Sequence, residues 1–274
     1  MPYPTIDAPY GFKPVNLLGG QVFSGSTREY PITYNYGTSI FYGDPVTLSS
    51  GYAIIAVAPI NTTNTTVGVF LGCSYTDPVT KQKRFSQYYP ANTLAGDIRA
   101  VVCDDPDTVF RMAVVAAAGG TAIASMSQLT VGVNVAGSTT TGSASTGNST
   151  QAVVAATANT ASAGWRVLSL VPDTQVSTSC TYSSGTGTTS LVVSGLTVGQ
   201  VLPIGTDVFQ LVAATGQLQF TGSSLTAAAT VTSATAQTLT VTASTVTVSG
   251  SLALVQSPEI LAKINFNVHR YNIA

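Results

Sequence analysis

Apolar and polar residues alternate in short runs along much of this chain, most clearly in SIFY (Ser39 to Tyr42), VGVFLGCSY (Val67 to Tyr75) and IRAVVC (Ile98 to Cys103). A repeat of two with β-branched enrichment predicts strands. The pairs Asp44-Pro45, Asp77-Pro78 and Asp105-Pro106 supply turns between them. Residues from Gln21 to about Val115 therefore read as an antiparallel β domain, and a short helix is expected around Ala122 to Leu129.

From Ala136 to Ala163 the chain is Gly, Ser, Thr, Ala and Asn almost throughout, the composition of a flexible loop. WRVLSLVPDT (Trp165 to Thr174) then returns to a strand closed by a Pro-Asp turn. Beyond it TSLVVSG (Thr189 to Gly195), DVFQLVA (Asp207 to Ala213), GQLQFTG (Gly216 to Gly222), TLTVTA (Thr238 to Ala243), STVTVSG (Ser244 to Gly250) and SLALVQ (Ser251 to Gln256) follow one another between Gly-rich turns. That spacing suggests a small sandwich or barrel, its edges poorly guarded because Ser and Thr stand where Lys and Glu usually do.

In the closing PEILAKINFNVHRYNIA, residues Ile260, Ala262, Ile264, Phe266 and Val268 fall on one face of a strand. Its composition matches the first domain, so it is expected to pair with Trp165 to Val171, leaving the intervening residues as an insertion. At the other end Pro2, Pro4, Pro9 and Pro14 surround Tyr3, Tyr10 and Phe12. Proline fixes φ and removes donors, so this piece is expected to be extended, packing back on its own domain or docking on a partner. The fold expected is all-β: an antiparallel barrel or sandwich core domain (21–174 plus 258–274), an inserted Ig-like β-sandwich module (175–257) and an extended N-terminal arm (1–20).

Charge narrows the functional classes. Charged residues are 8% of the 274, against roughly 25% in soluble globular chains. Arg111 to Arg166 encloses no charge, and Thr174 to Ser257 contains only Asp207. A net charge of -1 gives no electrostatic reason to expect nucleic acid. The longest apolar stretch, Ala113 to Met126, is broken by Gly119, Gly120 and Thr121 and is too short to span a bilayer. MPYPTIDAPYGF carries neither a basic leader nor an apolar h-region, so no export signal is expected. Cys73, Cys103 and Cys180 lack paired CxxC spacing and are expected as reduced thiols in a cytosolic compartment. Without export, the N-x-S/T triplets at Asn61, Asn64 and Asn148 carry no meaning.

Groups suited to chemistry are few. His269 is the only histidine, and alternation from Val268 points it outward, which favours a structural or interfacial role over catalysis. Asp104, Asp105 and Asp107 surround Pro106 as ordinary turn formers, with one carboxylate expected to pair with Arg99 or Arg111; EF-hand spacing is absent. Lys81, Lys83 and Arg84 precede Phe85, Tyr88 and Tyr89, a pattern that can stack on single-stranded nucleic acid but fits a solvated hairpin tip better. Asp97 with the 104–107 group could in principle supply paired carboxyls for glycoside hydrolysis, although nothing in the spacing favours it. No nucleotide-binding or zinc-protease motif occurs. No catalytic, cofactor-binding or metal-binding residue is expected.

YPTIDAPYGFKPVNLLGGQVFSGSTREYPI, FYGDPV, GVFLGCSYTDP, KRFSQYYP and EILAKINFNVHRY together resemble structural proteins of tailed bacteriophages of aquatic bacteria, cyanophage-like head decoration or cement proteins. The resemblance covers roughly 1–115, 164–174 and 258–274. It implies a non-enzymatic virion protein on the outer capsid surface, assembled in the host cytoplasm. Its partners would be the phage major capsid protein and itself as a homotrimer, with no nucleic acid, membrane, cofactor or small-molecule substrate. Candidate capsid-docking or interface residues are then Tyr3, Tyr10, Phe12, His269 and Tyr271. The rival readings are a tail or fibre protein that binds host glycans, and a glycan depolymerase.

Overall fold

The computed structural model describes residues 9–56, 60, 64–115, 118, 124, 126–138, 140–158, 162–174 and 257–270, with the backbone of the strands between 177 and 254. The strands before the insertion are β1 Lys13–Leu17, β2 Arg28–Pro31, β3 Pro45–Ser49, β4 Tyr52–Ile55, β5 Gly68–Thr76, β6 Lys83–Ser86, β7 Arg99–Cys103, β8 Thr108–Val115, β9 Asn134–Val135, β10 Val153–Val154 and β11 Trp165–Leu170. Within it lie β12 Ser177–Thr178, β13 Thr181–Ser184, β14 Ser190–Ser194, β15 Val201–Ile204, β16 Asp207–Val212, β17 Gln217–Phe220, β18 Ala227–Val231, β19 Ala236–Val241 and β20 Ala253–Leu254; β21 Glu259–Ile264 follows. The chain is all-β, as its alternation predicts. Among the described residues the helical pieces are four single 3-10 turns, Gln128–Thr130, Ala155–Thr157, Pro172–Thr174 and Phe266–Val268.

One sheet runs β1-β8-β21-β11-β9, with β10 lying parallel against β8. Its centre explains the apolar run in β8. Phe110, Met112 and Val114 face the main core, whereas Ala113 and Val115 face Ala152, Val154 and Tyr10 on the opposite side. In that main core Trp165 is fully buried, with the Phe12 ring 4.2 Å away and Phe110 edge-on at 5.7 Å. Burying a ring such as Phe12 contributes about 2–3 kcal/mol.

The other sheet runs β2-β7-β5-β3-β4, with β6 added to β5. It curls until its edge strands β2 and β4 come back into contact around a second core that includes Tyr30, Val46, Phe70, Tyr89, Ile98 and Val102. β5 serves both cores, since Val69 faces the first and Phe70 the second. A bulge between Phe70 and Gly72 then shifts its register against β7. All three Asp-Pro turns form. Asp77 Oδ1 accepts from the Val79 and Thr80 amides, Asp105 Oδ1 accepts from the Asp107 amide, and the Asp44 amide donates to Phe41 O.

The structure corrects four local expectations. The N-terminal piece is not an arm from Pro9 onward: Phe12 is a core residue and Lys13–Leu17 is an edge strand on β8. Gly11 at φ +83 and Gly43 at φ +91 let the two backbones touch, and the Phe12 amide donates to Gly43 O at 3.0 Å. Pro14 is tolerated because β1 is an edge strand with a bulge between Pro14 and Asn16. SIFY makes only isolated bridges, Ile40 to Tyr89 and Tyr42 to Asn148, because Gly43 turns the chain away. The helix expected over 122–129 is, where described, a single 3-10 turn at Gln128–Thr130. Phe266 leaves the inward face of the last strand and is exposed, since Phe266–Val268 is a 3-10 turn.

The inferred partnership of the last strand is present. β21 pairs antiparallel with β11, Trp165 opposite Ile264 and Leu170 opposite Ile260. Strands β12 to β20 pair among themselves, in the orders β12-β20-β15-β16-β17 and β13-β14-β19-β18. STVTVSG lies outside the described residues. Thr174 Oγ1 accepts from the Glu259 amide at 2.8 Å, so the chain leaves and re-enters the core domain at adjacent points. Joining Thr174 to Pro258 through a short Gly/Ser linker should therefore preserve a folded core domain, seen as a cooperative urea transition and a dispersed amide NMR spectrum.

Candidate functional sites

Two of the five predicted docking residues, Tyr3 and Tyr271, lie outside the described residues. The other three do not form one surface. Phe12 is sealed under Trp165 and is unavailable to a partner, because its ring completes the core of its own domain. His269, expected to point outward, is fully buried, since the strand alternation ends at Ile264. Its Nε2 lies 3.1 Å from Asp104 O, and burial lowers its pKa below that of a free imidazole.

Tyr10 is half-buried and serves its own domain. Its hydroxyl donates to Glu259 Oε1, and the Lys13 ammonium sits 4.5 Å from its ring centroid. Burial, then the hydrogen bond to Glu259, raises the Tyr10 pKa and keeps the phenol protonated. The other Glu259 oxygen takes Arg111 through Nε and Nη2. Glu259 is 1% exposed and the Arg111 side chain 42%. The arrangement joins the N-terminal segment, β8 and the second residue after the insertion. Removing Arg111 leaves a buried carboxylate with only a phenol to face, a loss that costs about 3 kcal/mol for such groups. Arg111→Ala should lower the urea midpoint accordingly, with an unchanged m value.

Other carboxylates also bind their own fold. Asp104 pairs with Arg28 at 3.2 Å and accepts from Tyr30 Oη at 2.7 Å, and Asp107 pairs with Lys263 at 3.5 Å. The partners expected from sequence, Arg99 and Arg111, are not those chosen, because β2 rather than β8 flanks β7 at that end. Asp97 accepts from the Thr76 amide and hydroxyl and from Lys83, which together hold its carboxyl well below the usual range. Asp97 and Asp104 stand at opposite ends of β7, roughly 20 Å apart at about 3.3 Å per residue. That exceeds the separation any paired-carboxyl glycosidase uses. Among the described residues no three His, Cys, Asp or Glu side chains gather as a metal site. Burial pushes the Cys73 thiol up to about 12 and Cys103 to about 11, so neither is a ready thiolate.

The basic cluster sits on the β5–β6 hairpin, in keeping with its reading as a solvated hairpin tip. Lys83 pairs with Asp97 at 3.1 Å and Arg84 with Asp77 at 3.6 Å. Tyr89 is buried and Tyr88 stacks on Phe41, so neither is presented to bases beside the basic cluster. Beside these cations the hairpin also presents apolar side chains: Val79 is 85% and Phe85 82% exposed.

Sequence reasoning missed a groove of about 470 Å³ lined by Pro31, Tyr34, Ser50, Tyr52, Gly96 and Arg99 over the buried Ile32 and Ile98. Its residues come from the exit of β2, the β3–β4 turn and the entry to β7. No local motif signals such a convergence. Comparison with protein-family models, with curated proteins and with solved structures returned no match.

Asp44 is the buried acid with the largest pH consequence. It is 1% exposed at the crossing of the 9–12, 41–44 and 149–151 segments, accepting from the Phe41 amide at 2.8 Å and from Gln151 Nε2 at 3.4 Å. Burial pushes its carboxyl up to about 6 against these lowering contacts. A folded pKa above the unfolded value means that the neutral acid is favoured in the fold. Its contribution is complete below about pH 4 and is lost as pH rises through 6. Relative to the wild type, Asp44→Asn should gain stability between pH 4 and 7, by up to about 3 kcal/mol for a shift from 3.8 to about 6. Paired urea titrations at the two pH values measure it.

Proposed function

We propose that this chain is a virion structural protein that decorates and cements the outer surface of a tailed-bacteriophage head, bridging neighbouring capsomers of the major capsid protein. The observation that carries this reading is the β5–β6 hairpin, whose Val79 and Phe85 stand almost bare in water beside Lys81, Lys83 and Arg84. Exposed apolar side chains rimmed by polar ones mark protein contact surfaces. The resemblance of the two chain ends to decoration proteins supports the same reading, as does a set of carboxylates tied to turns and chain crossings.

In this reading the core domain seats on the shell as a homotrimer at local threefold positions and the Ig-like module of residues 175–257 projects outward. Binding that favours the expanded lattice stabilises it by mass action. Purified chain mixed with expanded heads that lack it should co-sediment with them, and analytical ultracentrifugation of the free protein should give three chains per particle. The double variant Val79→Ser, Phe85→Ser should keep its thermal transition and bind heads at least tenfold more weakly. Binding to host cells but not to heads would overturn the proposal in favour of a host-glycan-binding surface protein.

A further inference from the structure

The groove beside β7 has the composition of a ligand site that the decoration reading does not use. Tyr34 is 61% and Tyr52 42% exposed, so two large rings stand in solvent at its rim. Arg99 lines the same groove, is exposed and makes no ion pair with a described residue, while Lys83 and Arg84 of the hairpin are both paired. Gly51 and Gly96 have nothing within 4 Å of where a Cβ would stand, which leaves their backbone open to the groove. Its volume falls in the range of small-ligand sites.

We propose that this groove binds a carboxylated saccharide, of the uronic-acid oligomer type. A pyranose has an apolar C–H face and a hydroxylated rim, which suits a groove lined by two exposed tyrosines, open backbone and Ser50. A guanidinium offers a planar fork that matches a sugar carboxylate bidentately. Acidic peptide is the competing class. Peptide grooves draw affinity from an anchor side chain seated in a desolvated pocket. Here Ile32 and Ile98 are 3% and 1% exposed and seal the floor, so no such pocket opens. None of the groove residues belongs to the hairpin surface, so binding to the free chain tests this inference apart from head binding.

The test is a calorimetric and NMR titration of the full chain with trigalacturonic acid, with neutral galactotriose and with an acidic proline-rich hexapeptide. Trigalacturonic acid should bind and shift the Tyr34, Tyr52 and Arg99 resonances, and galactotriose should bind at least tenfold more weakly. Arg99→Gln should cost at least tenfold, Arg99→Lys less, and Tyr52→Ala at least fivefold, with thermal transitions unchanged because these side chains are exposed. Absence of binding to trigalacturonic acid, or equal binding by Arg99→Gln, would overturn the proposal. Tighter binding of the hexapeptide than of the uronate would reassign the groove to peptides.

Discussion

The core domain depends on a single buried carboxylate. Glu259 is the second residue after the insertion returns, and taking its charge out of water is costly unless it is matched. Arg111 of β8 and the Tyr10 hydroxyl match it, while Thr174, the last described residue before the insertion, accepts from its amide. One side chain therefore ties the N-terminal segment to the central strand and closes the neck of an 80-residue-scale excursion, for which the loop-closure entropy grows only as the logarithm of length. Because β11 and β21 are already paired below that neck, the excursion adds little strain to the sheet.

A similar economy governs the remaining charge. With 8% charged residues, the chain places its acids where a backbone amide or a chain crossing needs an acceptor: Asp44 at a crossing, Asp77 and Asp105 in turns, Asp97 on Thr76, Asp104 on Tyr30 and Arg28. Acids engaged in this way are poor general acids or bases, since their protons and lone pairs are committed to the fold. Exposed groups outside these contacts include Val79, Phe85, Tyr34 and Tyr52, together with Arg99, Lys81 and Arg166.

How much of this was legible in the sequence follows from the range of each interaction. Strand alternation and Asp-Pro turns are local, so β5, β7 and β11 emerge within a residue or two of their expected limits, whereas β21 stops at Ile264, four residues short; the pairing of β11 with β21 follows from composition alone. The burial of Phe12 and Tyr10 is not local. It depends on Gly11 and Gly43 allowing two backbones to touch, and on partners at 165 and 259. A run of prolines with aromatics looks identical whether it lies on its own domain or on another. His269 was misplaced for a similar reason, since a 3-10 turn at 266–268 ends the alternation and nothing in NFNVHR announces it. The groove was invisible because its residues come from three separated connections.

Asp97 links the two proposed contact surfaces. Its neighbours Gly96, Ile98 and Arg99 line the groove, while its carboxylate takes Lys83 from the base of the hairpin that carries Phe85. Cross-strand register places Arg99 opposite Ser74 and Lys83 opposite Thr76, two residues apart on β5. A protein surface large enough to cover Val79 and Phe85 thus reaches to within a few residues of the groove. Were both surfaces used as proposed, occupancy of one would bear on the other through simple exclusion, with no conformational change required. A chain that met saccharide while free and shell protein when assembled would exchange one ligand for the other at this end of the sheet.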